Sequence, residues 1–209
     1  MTTVIDTGAV AASGLNAYAS LASLKTRLGI SGTTNDTTLE TLLEEASRSI
    51  DDDTGRVFFT TTEARYFDGS GNDILLLDDF VSVSEVFEYD SEGALLNIWA
   101  AGAGEEYGYI PWPYNGDIKM QLRAVPDYTF TEGQRNFKIT GTWGIATVPT
   151  QIERACLERA VTGWNRLSTG LVTIESEGLG EYRYKLFTPQ NMRETQLMQV
   201  AAWRRITVV

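Results

Sequence analysis

Carboxylates dominate the side chains of this sequence that could do chemistry, because it contains no histidine and only one cysteine, Cys156. Histidine is the commonest general base and metal ligand, so Ser-His-Asp and Cys-His catalysis are excluded. One cysteine cannot form an intramolecular disulfide or a cysteine-based zinc site. Cys156 lies on an apolar helical stripe, where a core thiol is expected rather than a nucleophile. We therefore expect no enzyme activity, no cofactor and no metal.

Two acidic runs are the remaining candidates for metal chemistry. The stretch Asp68–Asp73 resembles a calcium loop with Asp79 at position twelve, but Asp73 stands where an EF-hand needs glycine and the flanks have strand character. Turn chemistry therefore favours a hairpin turn. Asp51, Asp52 and Asp53 follow a helical pattern, where acidic charge opposes the helix dipole. They are either a solvated helix end or a functional charge.

Five aromatic residues lie close together in the middle of the sequence, and Pro111 and Pro113 interrupt them. They are Trp99, Tyr107, Tyr109, Trp112 and Tyr114. Aromatic residues are enriched both in protein cores and at interface hot spots. The cluster is interpreted equally well as core or as contact surface. As a contact surface, it would suit a carbohydrate or a receptor.

Charge divides the chain into an acidic body and a slightly basic C-terminal part. Residues 1–148 carry a net charge of −13, whereas residues 149–209 carry +2. An acidic body repels nucleic-acid phosphates, so tight DNA or RNA binding is disfavoured. The N-terminal residues have no basic start typical of a signal peptide, and the apolar runs are too short to span a bilayer, so no membrane association is expected.

Helical periodicity occurs at both ends of the chain. It predicts helices over Ala17–Leu28, from Asp36 or Thr37 to Gly55, over Pro149–Ser168 and over Pro189–Ile206. Thr37 and Glu40 have the spacing of a capping box. Cys156 lies on an apolar stripe of the third helix.

Between the helices, short alternating segments separated by turn residues predict strands. They are Arg56–Phe59, Thr62–Phe67, Ile74–Leu77, Val81–Tyr89, Ala94–Trp99, Tyr107–Ile110, Ile118–Leu122 and Asn136–Trp143. We therefore predict an α+β fold, in which two N-terminal helices, one later helix and one C-terminal helix form a frame around an inserted antiparallel β-sandwich or barrel.

Three stretches resemble the head–tail connector (adaptor) proteins of tailed bacteriophages. The first is Ser23–Ile30, followed by the capped helix and by Ile50–Phe58, which contains a Thr-Gly-Arg turn. The second is Ile139–Gly144 with the proline-started helix that follows, and the third is the end at Trp203-Arg204-Arg205. By this resemblance, residues 1–58 and 137–188 build the frame, 59–136 are an enlarged β insert, and 189–209 are a C-terminal docking helix.

The resemblance implies a structural virion protein at the head–tail junction, made in the host cytoplasm. Its copies would form a ring, commonly of twelve, below the portal protein, contacting stopper, tail or neck proteins and passing DNA without tight binding. The C-terminal helix would dock on the portal, and the acidic run would face the channel. The implied docking residues are Leu197, Val200, Trp203, Arg204 and Arg205, and the channel residues are Asp51, Asp52 and Asp53. Removal of residues 189–209 would then abolish portal binding and leave a folded body.

Overall fold

The computed structural model describes residues 16–102, 104, 106–169, 176–179, 182–185 and 189–205 of the 209-residue chain. Its helices are α1 (Leu21–Leu28), α2 (Asp36–Thr54), α3 (Thr150–Thr169) and α4 (Pro189–Val200), followed by a 3-10 turn, Ala201–Trp203. Its strands are β1 (Thr61–Gly69), β2 (Ile74–Tyr89), β3 (Leu95–Ala101), β4 (Gly108–Trp112), β5 (Lys119–Ala124), β6 (Gly133–Trp143), β7 (Ser176–Leu179) and β8 (Tyr182–Lys185). The predicted α+β class is confirmed.

The chain forms two compact units. The residues up to Arg56 and from Val148 onward make a helical unit, which also contains the two-stranded β7–β8 sheet, and Val57–Thr147 make a β unit. Strand β6 lies inside the β unit, although residues 137–143 were predicted to belong to the helical frame. The reason is its position between β1 and β2, which a sequence pattern does not reveal. None of the helices in the described part of the chain combines the length and the hydropathy of a membrane span.

Helix α1 is short and capped at both ends. The Ser20 side chain accepts a hydrogen bond from the Ser23 backbone N–H at 3.0 Å, so the helix begins at Leu21 rather than at the predicted Ala17. Gly29 ends it with a φ of 66°, a conformation that glycine adopts without strain. Lys25 of α1 then reaches the first residue of α2, Asp36, at 2.6 Å, which ties the two helices together.

Helix α2 supplies the central apolar stripe of the helical unit. Leu39, Leu43, Ala46 and Ile50 are buried on one face, as the periodicity predicts. The predicted capping box does not form, because the helix begins at Asp36, so Thr37 lies within it, and its cap position makes no side-chain hydrogen bond. The Gly55 N–H bonds the Asp51 carbonyl at 2.7 Å and ends the helix at the expected residue.

Helix α3 packs its apolar stripe against α2. Ile152, Ala155, Cys156 and Ala160 are buried, whereas Leu167 at the C-terminal end of the stripe is exposed. Burial raises the pKa of the Cys156 thiol, which therefore stays protonated and unreactive at neutral pH. The predicted final helix ends at Val200, and Ile206 lies outside the described residues.

The β unit is a six-stranded sheet in the order β1-β6-β2-β3-β4-β5, with β5 also paired to β2. That last pairing closes β2, β3, β4 and β5 into a four-stranded barrel. Strand β2 is long enough to belong both to the barrel and to the rest of the sheet. Its first half pairs with β5, and its second half pairs with β6 and β3. The predicted strands Ile74–Leu77 and Val81–Tyr89 are thus one strand, whereas Arg56–Phe59 is loop.

The turn Asp68–Asp73 connects two strands that do not pair with each other. Strand β6 lies between β1 and β2, so the predicted hairpin is wrong. The turn is held locally instead. The Ser70 hydroxyl accepts from the Asn72 N–H at 3.2 Å and donates to the Ile74 carbonyl at 2.5 Å. Among the described residues, no group of three acidic, histidine or cysteine side chains is arranged to hold a metal ion.

Aromatic rings fill the hydrophobic core of the β unit. The rings of Trp99 and Phe130 stack with centroids 4.4 Å apart, and Phe137 meets both edge-on. Trp143 is also buried, and its indole N–H donates to the Glu63 carbonyl at 2.9 Å. Such packing stabilises the unit by burying large apolar areas, and the Trp143 indole N–H keeps a hydrogen bond.

Candidate functional site

The C-terminal end of α2 brings together the acidic run and the C-terminal segment of the helical unit. Asp51 accepts a hydrogen bond from the Tyr18 hydroxyl and lies 3.3 Å from the Arg48 guanidinium. Burial raises the pKa of Asp51, and these two partners oppose that shift. Asp51 is thus a half-buried structural carboxylate. Asp52, the next residue, is exposed.

Asp53 is buried inside the helical unit, although the family resemblance implied that it faces a channel. Its side chain is only 2% exposed and binds two arginines, Arg159 of α3 at 2.9 Å and Arg193 of α4. Arg159 also donates to the Ser49 hydroxyl at 2.8 Å and to the Gln196 carbonyl at 3.0 Å. Burial lowers the pKa of Arg159, and the Asp53 charge opposes that change. Asp53 therefore joins α2, α3 and α4, and its charge is compensated within the helical unit.

The expected portal-docking residues divide between the interior and the surface. Val200 is fully buried, and Leu197 is half-buried. The Arg56 side chain donates to the Trp203 carbonyl at 2.9 Å, and the Arg205 N–H donates to the Thr54 carbonyl at 2.7 Å. The segment is therefore fixed along the helical unit. Arg204 is the docking candidate whose side chain is exposed.

A polar cavity of about 490 Å³ lies beside this junction. Its lining residues are Asp52, Asp53, Thr54, Gly55, Arg204 and Arg205. Acidic and basic groups are both present, and the Asp53 carboxylate already binds arginines. This arrangement can hold the C-terminal segment and present mixed charge to a partner.

The aromatic cluster divides between the barrel core and the surface. Trp99 and Tyr109 are buried, and Tyr107 packs against them, so these three are core residues. Burial also raises the pKa of Tyr109. Trp112 and Tyr114 are exposed where β4 ends.

The exposed pair lies on a tip held by basic side chains. The Arg123 guanidinium is 4.4 Å above the Trp112 ring, and Lys119 donates to the carbonyls of Pro113 and Tyr114 at 2.7 Å each. One face of Trp112 is therefore already occupied by a cation. Tyr114 is the more available ring for a ligand.

Sequence reasoning missed two polar residues that organise the interior. Arg159 lies three residues after Cys156, so helical spacing placed a charged residue beside the apolar stripe. Glu88 is fully buried in the β unit, where it accepts hydrogen bonds from Asn97 and from the Trp99 indole at 2.8 Å each. The sequence did contain a signal for Glu88. Residues two apart in a strand share a face, so Glu88 lies on the same inward face of β2 as Val86.

Comparisons with known proteins agree with the expected resemblance. Residues 18–82, which span α1, α2, β1 and the start of β2, match the family described as "Phage gp6-like head-tail connector protein". The resemblance to head–tail connectors is thereby confirmed over this segment. No curated protein matches the chain significantly.

Two solved structures share the fold. One is a chain from the "Neck of empty GTA particle computed with C6 symmetry", with a TM-score of 0.57, 13% identity and 90% of each chain covered. The other comes from the "Virion of native gene transfer agent (GTA) particle", with a TM-score of 0.57, 17% identity and 90% of each chain covered. The likeness extends over both units.

Proposed function

We propose that this protein, whose residues 18–82 match the gp6-like head–tail connector family, is a structural protein of the virion neck at the head–tail junction. That match is the observation that carries the proposal. The fold shared with a chain from a gene transfer agent neck supports it, because the similarity covers 90% of both chains. No catalytic role is proposed, since the sequence lacks histidine and Asp53 is committed to ion pairs.

The assembly that we propose is a ring of twelve copies below the portal, contacting stopper, tail or neck proteins and extending the DNA channel. The C6 symmetry applied to the similar neck supports a subunit number that is a multiple of six. The net charge of −11 supports passage of DNA, because an acidic wall lacks the cationic contacts that retain phosphates. Asp52 is the exposed member of the acidic run, and we assign it to the channel surface.

Portal docking through the C-terminal segment is tested better by a surface variant than by truncation. Removing residues 189–209 would also remove Val200 from the helical core and Arg193 from Asp53, so the body would be destabilised. Replacing the exposed Arg204 by Glu leaves these contacts in place. We expect Arg204→Glu to weaken binding to the portal protein of the same particle about tenfold or more, since reversed charge opposes an acidic partner.

The measurement is co-purification and titration of the full-length protein with that portal. The matched control is Arg27→Glu, which reverses an exposed arginine on α1. Equal affinity of Arg204→Glu and wild type would reject docking through the C-terminal segment. No binding of the wild-type protein to the portal or to any other neck component would reject the proposed function itself.

Glycan or receptor binding is the second candidate function, because Trp112 and Tyr114 are exposed on one tip. Aromatic rings commonly provide flat apolar contacts at recognition sites. If this function holds, wild-type protein gives a glycan-array signal that falls at least about tenfold in Tyr114→Ala, whose ring is the more open, and also in Trp112→Ala. An array without wild-type signal removes this candidate.

A further inference from the structure

The loop between β4 and β5 contains the one asparagine of the chain that is followed by glycine, Asn115-Gly116. Each of the other seven asparagines precedes a residue with a side chain. Asparagine is thermolabile, because the backbone nitrogen of the next residue can attack its side-chain carbon. A Cβ on that next residue hinders the approach, and glycine has none. The sequence therefore places its most reactive asparagine in this loop.

The loop does not use Asn115-Gly116 as a tight hairpin turn, which is the ordinary structural reason for this dipeptide. A type I′ turn requires a positive φ at both central residues. Neither Asn115 nor Gly116 has a positive φ, and residues 113–118 all lie between the two strands. Glycine is needed here for space instead, since a Cβ at Gly116 would lie 2.8 Å from the Pro113 Cγ. The loop therefore requires the glycine that makes Asn115 reactive.

The reacting groups of this pair are only lightly restrained. Asn115 is exposed, and its side chain forms no hydrogen bond to any residue that the structure describes. The side-chain amides of Asn72 and Asn97, in contrast, donate hydrogen bonds at 2.9 and 2.8 Å. The Gly116 N–H bonds the Pro113 carbonyl at 3.3 Å, which is long for an N–H···O bond. Little binding is therefore lost when the Gly116 nitrogen turns toward the Asn115 side chain.

Lys119 fixes the part of the loop that precedes Asn115. Its ammonium group donates to the carbonyls of Pro113 and Tyr114 at 2.7 Å each. Ring closure between Asn115 and Gly116 needs rotation about the Cα–C bond of Asn115, and this bond follows both anchored carbonyls in the chain. We therefore expect residues 115–118 to absorb the rearrangement, so that the reaction does not require the β unit to unfold.

The Asp68-Gly69 pair shows the protected counterpart of this arrangement. An aspartate before glycine closes to the same ring, with loss of water instead of ammonia. Here the Gly69 N–H donates to the Asn136 side-chain oxygen at 2.8 Å in a buried position, and the Asp68 carboxylate accepts from the Arg135 N–H at 2.6 Å. Both the attacking nitrogen and the attacked group are held in place. Hydrogen bonding, and not glycine alone, therefore distinguishes the two pairs.

We propose that Asn115 is a site of spontaneous deamidation in the folded protein. The Gly116 nitrogen loses its proton and bonds to the Asn115 Cγ, and the Cγ–N bond of the amide breaks and releases ammonia. Water then opens the succinimide ring at either carbonyl, which gives aspartate or isoaspartate. One water is consumed for each ammonia released, and nothing is oxidised or reduced. The new carboxylate changes the net charge from −11 to −12 next to the exposed Tyr114, and the isoaspartate also adds a methylene to the main chain.

Peptide mapping of the full-length native protein, incubated at one mildly alkaline pH, tests the proposal. Trypsin releases residues 66–119 as one peptide, which contains Asn72, Asn97 and Asn115, so two control asparagines are measured in the same molecule. We expect Asn115 to acquire a carboxylate at least about tenfold faster than either control. Fragmentation in the mass spectrometer locates the change, and an isoaspartyl methyltransferase detects the isoaspartate. In Asn115→Gln, whose longer side chain closes a ring less readily, the acidic form should not accumulate on isoelectric focusing.

The same chain unfolded in urea provides the reference rate. Native Asn115 should react within about tenfold of its rate in the unfolded chain, whereas native Asp68 should isomerise at least about tenfold more slowly than unfolded Asp68, whose hydrogen bonds are lost. Equal rates at Asn115, Asn72 and Asn97 in the native protein would overturn the proposal. A native Asn115 that reacts more than about tenfold more slowly than in the unfolded chain would also overturn it, because the folded loop would then protect the amide.

Discussion

Replacing Asp53 by Asn is expected to lower the free energy of unfolding of the helical unit by about 3–5 kcal/mol. The Asp53 carboxylate is buried between Arg159 and Arg193. An amide keeps the shape but removes the negative charge. Arg159 is itself buried, and burial already lowers its pKa. The variant therefore leaves a cation without compensation in a poorly solvated position, which is the costly way of disrupting a buried ion pair.

The experiment compares Asp53→Asn with Asp52→Asn, its exposed neighbour. Both changes remove one negative charge from the end of α2, so the helix dipole and net charge are matched. We expect Asp52→Asn to change the free energy of unfolding by less than about 0.5 kcal/mol. Denaturant titration followed by helical circular dichroism gives both values, because the helices lie in one unit. Equal denaturation midpoints for the two variants would show that the ion pairs of Asp53 contribute little to the stability of the helical unit.

The same substitution should release the C-terminal segment. Arg193 and the Gln196 carbonyl connect α4 to Asp53 and Arg159, and both hydrogen bonds from Arg193 depend on the lost charge. We expect trypsin to cleave after Arg193 faster in Asp53→Asn than in Asp52→Asn. Equal cleavage rates in the two variants would show that the Asp53–Arg193 ion pair does not hold α4 in place.

The helices were predictable because each buries a stripe that the sequence displays. Leu39, Leu43 and Ile50 repeat at helical spacing, and Gly29 and Gly55 end their helices at the expected residues. The burial of Asp53 was not predictable in the same way. Its two arginines are 106 and 140 residues away in sequence, and no local pattern identifies such partners. A long-range ion pair is a property of packing rather than of spacing.

Most strands of the β unit were predictable individually, but their order was not. Local alternation identifies β6, yet its position between β1 and β2 depends on register and on the closure of the barrel by the β2–β5 pairing. The same limit explains the aromatic cluster. Trp99 is buried and Trp112 is exposed because the strand register places them on different faces. Composition alone does not distinguish a core tryptophan from a surface one.

Gly144 occupies a backbone position that no other residue fits, which accounts for its place in the Trp143-Gly144 motif. Its φ is 92°, and a Cβ there would lie 2.0 Å from the Phe59 carbonyl oxygen. The Gly144 N–H also bonds the Asp79 carbonyl at 2.6 Å, so the backbone cannot easily move away. The position therefore combines an unfavourable dihedral for L-residues with a backbone clash.

We expect Gly144→Ala to lower the free energy of unfolding of the β unit by more than about 4 kcal/mol. Gly93→Ala is the matched control, because Gly93 has a similar φ of 85° in the same unit and nothing within 4 Å of its added Cβ. We expect Gly93→Ala to lower the free energy of unfolding only through its strained dihedral angle, by about 1–2 kcal/mol. Denaturation followed by tryptophan fluorescence measures both, since Trp143 and Trp99 are buried in this unit. Similar losses for the two variants would mean that strain, not the approach of Phe59, requires glycine at position 144.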